Sequence, residues 1–246
     1  MTVAGLIILG GLGVYVIYDL LMVFRHKQYR LRVHSRVVLV ATLILIAAGT
    51  VLLWLNGYVR ETGLSWYDAF FQSVTARTAG FNSVDIGELP AESLTLIIIL
   101  MLIGGAPGST AGGMKVTTLA VLIANAVAAF RRREDPQLFH RRLEHSAVRN
   151  AAAILLLYLG LTFAGAAAIS AAEELPLGAC LYETASAAGT VGLTLGLTPQ
   201  LGVLSQSILI LLMYFGRVGG LTLIYAAFSG HDLTYARYPQ EKITVG

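Results

Sequence analysis

The groups best placed to do chemistry in this chain are backbone oxygens in two nearly matching passages. These are Ala76-Arg77-Thr78-Ala79-Gly80-Phe81-Asn82 and Ala188-Gly189-Thr190-Val191-Gly192-Leu193-Thr194. A threonine, a small residue and a glycine at the end of a short re-entrant helix have the form of an ion selectivity filter, where carbonyls replace a cation's hydration shell. Such a turn needs a residue that enters the left-handed region at little steric cost. Gly80 and Gly192 fill that position, and Thr78, Ala79, Phe81, Thr190, Val191 and Leu193 flank it. The carbonyls of Thr78, Ala79, Gly80, Thr190, Val191 and Gly192 are the expected ion ligands. Each passage alone is also an ordinary turn between membrane segments, but two copies at one register favour the filter. A potassium-channel TVGYG filter carries a second glycine; Asn82 and Thr194 stand there instead, so fewer well-formed sites are expected.

The segments around these turns must hold them at membrane depth. With 56% hydrophobic and 13% charged residues the chain has too little polar surface for a soluble globule. Apolar runs that could cross about 30 Å of hydrocarbon lie near 3–24, 36–56, 91–130, 148–171 and 201–228. The first lacks a basic stretch before it, and Arg25, Lys27, Arg30 and Arg32 follow it, so a retained transmembrane helix is expected rather than a signal peptide. The run 91–130 is too long for one crossing and is interrupted at Gly104–Lys115, which reads as one broken helix. Ser65–Ala76 and Leu177–Ala188 have the length of three helical turns, too short to cross, and each leads into a filter passage. Irregular backbone at membrane depth is tolerated only where protein or a wet cavity surrounds it.

Charge location matters more than the net value of +3. Arg25, Lys27, Arg30, Arg32 and Arg36 fall in one loop, Arg131, Arg132, Arg133, Arg141, Arg142 and Arg149 in another, and Arg237 and Lys242 in the tail. The positive-inside rule makes these cytoplasmic, so orientation accounts for them and no nucleic acid is needed. The connections carrying Glu61, Asp68, Asp85, Glu88, Glu92, Glu173, Glu174 and Glu183 then face out, as solvated charges or as cation concentrators at the mouth. Cys180 is the single cysteine, and the five histidines lie outside the apolar cores, so neither a disulfide nor a metal cluster is expected.

Arg217 sits about eleven residues, roughly 16 Å of helix, from the cytoplasmic end of the last run. An ionisable group at that depth faces a cavity or a partner. We read it as an electrostatic barrier below the filter, with a structural hold on loop carbonyls as the alternative. Arg77 is expected to turn away from the axis and pair with Asp68 or Asp85, and Lys115 to contact carbonyls freed at the break or merely to mark its end. The Gly104–Lys115 segment is not a phosphate-binding loop, because Val116 follows Lys115; Gly11-Leu12-Gly13 falls short of a dinucleotide fingerprint.

The motifs RTAGFN, GGAPGSTAGGMK, GTVGLT and GRVGGLTL, with the tail Tyr238-Pro239-Gln240-Glu241-Lys242, resemble in order the Trk/Ktr family of bacterial potassium uptake proteins, nearest the Ktr branch. The resemblance implies an all-α polytopic membrane protein built of membrane-pore helix-membrane repeats of the potassium-channel-like type. Family members carry four repeats around one pore, and this chain matches the last two. Residues 1–35 then hold the closing helix of a preceding repeat and a cytoplasmic loop; 36–131 form one repeat, with filter 77–82 and broken helix 91–130. Residues 132–147 form a cytoplasmic linker, 148–230 the second repeat with filter 189–194, and 231–246 a cytoplasmic tail. The chain is accordingly a fragment, a half needing a separate half, or a half pairing with a second copy; the fragment is preferred.

The resemblance further implies potassium uptake across the cytoplasmic membrane, with a gate made of Gly105, Gly108, Ser109, Thr110, Gly112, Gly113 and Arg217. It implies no cofactor in this chain, a homodimer of complete subunits, and nucleotide only on a separate cytoplasmic regulatory subunit docking near Arg131–Arg149. That basic segment suits an interfacial helix, a docking surface or a solvated loop. Alternatives are a non-conducting membrane interaction subunit, or a secondary cation transporter, which usually needs midplane carboxylates scarce here. An intramembrane hydrolase is disfavoured because Ser109 lacks a GxSxG setting and no histidine lies in a span, so no enzyme is expected.

Overall fold

A computed structural model of the chain describes residues 1–219, other than 27, 61 and 62, together with Thr222. The tail motif at Tyr238–Lys242 and the end of the last apolar run lie outside the described residues.

Among the described residues, two helices are long and apolar enough to span a membrane: α3 (Val33–Val59) and α7 (His145–Glu173). At 1.5 Å per residue, their 27 and 29 residues reach about 40 Å or more. Each is followed by a short helix. α4 (Trp66–Thr75) starts at Ser65, whose hydroxyl accepts the Asp68 N–H at 3.2 Å, and α8 (Leu177–Ala188) starts after Pro176. With 10 and 12 residues these reach about half of the roughly 30 Å hydrocarbon thickness. The return path is α5 (Ala91–Leu102) and α6 (Val116–Phe130) in the first repeat, and α9 (Val203–Val218) in the second.

The first apolar run departs from a single helix. It forms α1 (Thr2–Leu12) and α2 (Val14–Arg25), meeting at 97° about Gly13, whose φ of 80° is left-handed. The α2 end is pinned by Asp19, which accepts from Tyr29 Oη at 2.8 Å and Ser35 Oγ at 2.6 Å. The basic segment after α6 also departs from an interfacial helix. Strands β1 (Gln137–Leu138) and β2 (Arg141–Arg142) pair across Phe139 and His140, both at positive φ, and Asp135 meets Arg142 at 2.8 Å. Two consecutive left-handed residues close a tight hairpin and forbid helix continuation.

The repeats share a core. Leu53, Ala69, Ile97, Leu100 and Met101 of the first cluster with Tyr182, Ala185, Val191 and Leu193 of the second. Lipid tails are as apolar as leucine, so close packing of small residues must supply much of the helix association. A Cβ on Gly49 of α3 would overlap Ser73 Oγ of α4, and one on Gly165 of α7 would lie 3.4 Å from Thr184 Cγ2 of α8 and 2.9 Å from Leu212 Cδ1 of α9. Both short helices are thereby seated against their long neighbours, with their C-terminal ends at the filter passages.

Candidate ion pathway

The two passages fold alike at the ends of α4 and α8. Thr78 and Gly80 have φ of 70° and 77°; Thr190 and Gly192 have φ of 52° and 96°. Ala79 and Val191 are not left-handed, so the handedness alternates, the backbone pattern that turns successive carbonyls toward one side. The glycines meet the expectation for this geometry. The threonines do not, since a left-handed conformation costs an L-residue roughly 1–2 kcal/mol.

Hydrogen bonds to the short helices hold the turns in place. Ala79 and Gly80 donate N–H groups to Thr75 O at 3.1 and 3.3 Å, and Thr75 Oγ1 donates to Phe81 O at 2.7 Å. In the second copy, Val191 N–H donates to Ser186 O at 2.8 Å and Gly192 N–H to Ser186 Oγ at 3.1 Å. Among the described residues, no hydrogen bond uses the carbonyls of Thr78, Ala79, Gly80, Thr190, Val191 or Gly192. Phe81 differs, because its carbonyl is taken, while Leu193 is buried in the shared core. Oxygens left without a partner in such a place call for a cation or water. The negative ends of α4 and α8, each equivalent to roughly half a charge, favour the cation.

The two turns abut. A Cβ on Gly80 would overlap Val191 O and lie 3.3 Å from Gly192 Cα. Past the turns, Gln72 Nε2 donates to Asn82 Oδ1 at 3.1 Å. Glu183, buried within α8, accepts from Thr194 Oγ1 at 2.7 Å, Leu195 N–H at 2.8 Å and Thr198 Oγ1 at 2.8 Å. Glu183 is therefore no solvated outer charge but the anchor of the strand leaving the second turn. Its position inside a re-entrant-length segment was the available signal.

Residues 103–115 form the break between α5 and α6. Gly104 N–H donates to Met114 O at 2.7 Å and Val116 N–H to Gly105 O at 3.0 Å, which pinches the loop at its base. The loop presses against the second turn and α9: a Cβ on Gly112 would overlap Thr190 Oγ1, and Gly113 N–H donates to Gly216 O at 3.1 Å. Two cations grip adjacent carbonyls of the loop. Arg217 Nη1 donates to Thr110 O at 2.7 Å, and Lys115 Nζ donates to Ala111 O. Gly108, at φ 72°, and Ser109, whose Oγ accepts the Ala111 N–H at 3.3 Å, form the loop tip. A cavity of about 550 Å³ runs from Glu183 past Thr190, Val191 and Gly192 to Arg217.

Arg77 contradicts its expected pairing. Asp68 is occupied by Ser65 and Ser83, and Asp85 accepts the Gly87 N–H. Arg77 is buried with 7% exposure, donates to Thr42 Oγ1 at 3.4 Å on α3, and keeps Nε without a partner. It lies at the C-terminal end of α4, where the helix dipole favours a positive charge.

The family model described as TrkH, Cation transport protein, matches residues 1–232. The chain belongs to the TrkH family. The chain is similar to the Ktr system potassium uptake protein B of Vibrio alginolyticus, 37% identical over 252 positions that take in 100% of this chain and 55% of that protein. The potassium/sodium uptake protein NtpJ of Enterococcus hirae is also 37% identical, over 100% of this chain and 57% of that protein. The chain thus spans about half the length of these relatives. The crystal structure of the potassium transporter TrkH from Vibrio parahaemolyticus superposes with a TM-score of 0.70 at 18% identity, over 91% of this chain and 50% of that one. That likeness establishes the all-helical, multi-pass TrkH fold.

Proposed function

We propose that the chain supplies two of the filter turns and the gate of a potassium uptake pore in the cell membrane. The observation that carries this reading is the pair of matching turns, each with left-handed threonine and glycine and three carbonyls free of partners among the described residues. Potassium, named for both relatives, is the substrate and passes down its gradient between these oxygens. The remaining oxygens of the ring come from the rest of a longer protein, or from a separate half or second copy.

The 103–115 loop closes the path beneath the filter, and Arg217 adds an electrostatic barrier. A guanidinium about 8 Å from a permeating cation, at an effective dielectric of about 20, repels it by about 2 kcal/mol, roughly thirtyfold in rate. That is enough to make passage conditional and too little to seal a pore, so steric closure by Gly112 and Gly113 under Thr190 carries the rest. Complete subunits pair as homodimers and take a cytoplasmic nucleotide-binding regulatory subunit, which holds the nucleotide.

The test is growth of a bacterium stripped of its own potassium uptake, at limiting potassium. The complete transporter containing this chain should restore growth. A chain that co-purifies with a transporter but leaves growth unrestored in every assembly is a non-conducting subunit, and the proposal fails.

A further inference from the structure

The run Gly10-Gly11-Leu12-Gly13 has no part in the filter, yet it breaks the first span at the level of the loop between α5 and α6. A helix interrupted there leaves carbonyls at the end of α1 and an N–H at the start of α2 without partners inside the helix. The loop supplies them. Ala106 N–H donates to Gly11 O at 2.8 Å, and Thr110 gives both its N–H and its hydroxyl to Gly10 O at 3.3 Å. In return, Val14 N–H donates to Gly108 O at 3.3 Å. Each break satisfies the groups the other has lost.

The contact is close as well as hydrogen-bonded. A Cβ on Gly13 would lie 2.8 Å from Pro107 O, and one on Gly105 would lie 2.8 Å from Gly11 O. Leu12 and Val16 bury themselves against Ala106 and Val116. A cavity of about 160 Å³ lies between Gly10 and Gly11, the turn residues Arg77, Thr78 and Ala79, and Thr110 and Ala111. The first span therefore walls the space between filter and loop.

We infer that the Gly10–Gly13 break is the seat of the gate, and that the pathway opens fully only when the two broken helices part. Gly10, Gly11 and Gly13 are positioning residues for permeation. The inference rests on the 103–115 loop being the gate. Thr110 joins the two sides: its carbonyl takes Arg217, while its N–H and hydroxyl hold Gly10. Releasing Arg217 alone removes a barrier but leaves the loop seated.

The test uses the complete transporter carrying Cys180→Ala with Gly10→Cys and Thr110→Cys. A Cβ on Gly10 lies 3.1 Å from Thr110 Oγ1, close to the roughly 3 Å between a Cβ and the far sulfur of a disulfide. Oxidation should cut rubidium flux at least tenfold, and reduction should restore it, a reversal that a merely misfolded variant would not show. In a second variant, Gly13→Ala should raise unregulated flux severalfold by pushing Pro107 away. Failure of the cysteines to cross-link, or a confirmed cross-link with unchanged flux, overturns the inference. If Arg217→Ala leaks while the cross-linked protein conducts freely, the gate stands and only its seat is wrong. If neither changes flux, both readings fall.

Discussion

Arg217 Nη1 donates to Thr110 O at 2.7 Å, tying the last described helix to the break in the preceding repeat. The bond puts a fixed positive charge and a backbone latch at one point on the wall of the larger cavity. Arg217→Ala removes both, and unregulated rubidium leak through the complete transporter should rise about ten- to thirtyfold, in line with a barrier of about 2 kcal/mol. Arg217→Lys keeps the charge and should leak less. Equal flux in all three proteins would show that Arg217 is structural only.

Lys115 grips the carbonyl next to the one Arg217 holds. Lys115→Met should raise leak more modestly, since its charge is half-buried beside the loop and away from the cavity that Arg217 lines. Because both side chains hold one loop, the double variant should depart from additivity, with a coupling of about 0.5 kcal/mol or more. Strict additivity in leak measurements would mean that the two act on separate elements.

The glycines of the two turns, proposed as filter residues, should not respond alike. Gly80→Ala drives a methyl into Val191 O and should lower both the yield of folded protein and flux. Gly192 has open space, its nearest neighbour being Gly80 Cα at 3.8 Å, but a φ of 96° that alanine resists. Gly192→Ala should fold and lose potassium-over-sodium preference, read as the ratio of fluxes in mixed cation gradients. An unchanged ratio would remove the second turn from selectivity.

Glu183 ties the strand beyond the second turn through three donors. Hydrogen bonds to a charged group contribute about 1.5–3 kcal/mol each. Glu183→Ala should therefore lower the melting temperature in detergent by several degrees and slow flux. Glu183→Gln, which still accepts at one oxygen, should fall between. A Glu183→Ala protein with unchanged melting and flux would contradict the anchoring role.

The backbone form of the two turns could be read from the residues, for a physical reason. Glycine at Gly80 and Gly192 marks a backbone that other residues adopt only at a cost, and apolar run lengths separate α4 and α8 from helices that cross. The left-handed threonines could not be read, because the bonds their neighbours make with Thr75 and Ser186 impose a conformation that Thr78 and Thr190 do not prefer. The 97° bend at Gly13 escaped notice because the apolar pattern continues through it, and only the partner loop makes the break affordable. Charge points Arg77 to Asp68 or Asp85, but Ser65 and Ser83 hold the first carboxylate, Gly87 N–H donates to the second, and the guanidinium turns toward Thr42. The hairpin at Phe139 and His140 depended on two left-handed residues that their types did not announce.

The proposed route for cations lies between the carbonyls of the two turns. Rubidium uptake into liposomes bearing the complete transporter, beside its Gly80→Arg and Gly192→Arg variants, probes that route. The unaltered protein should show saturable uptake, and either variant that inserts into the bilayer in folded form should show none. Uptake undiminished in both variants would place the permeation path elsewhere.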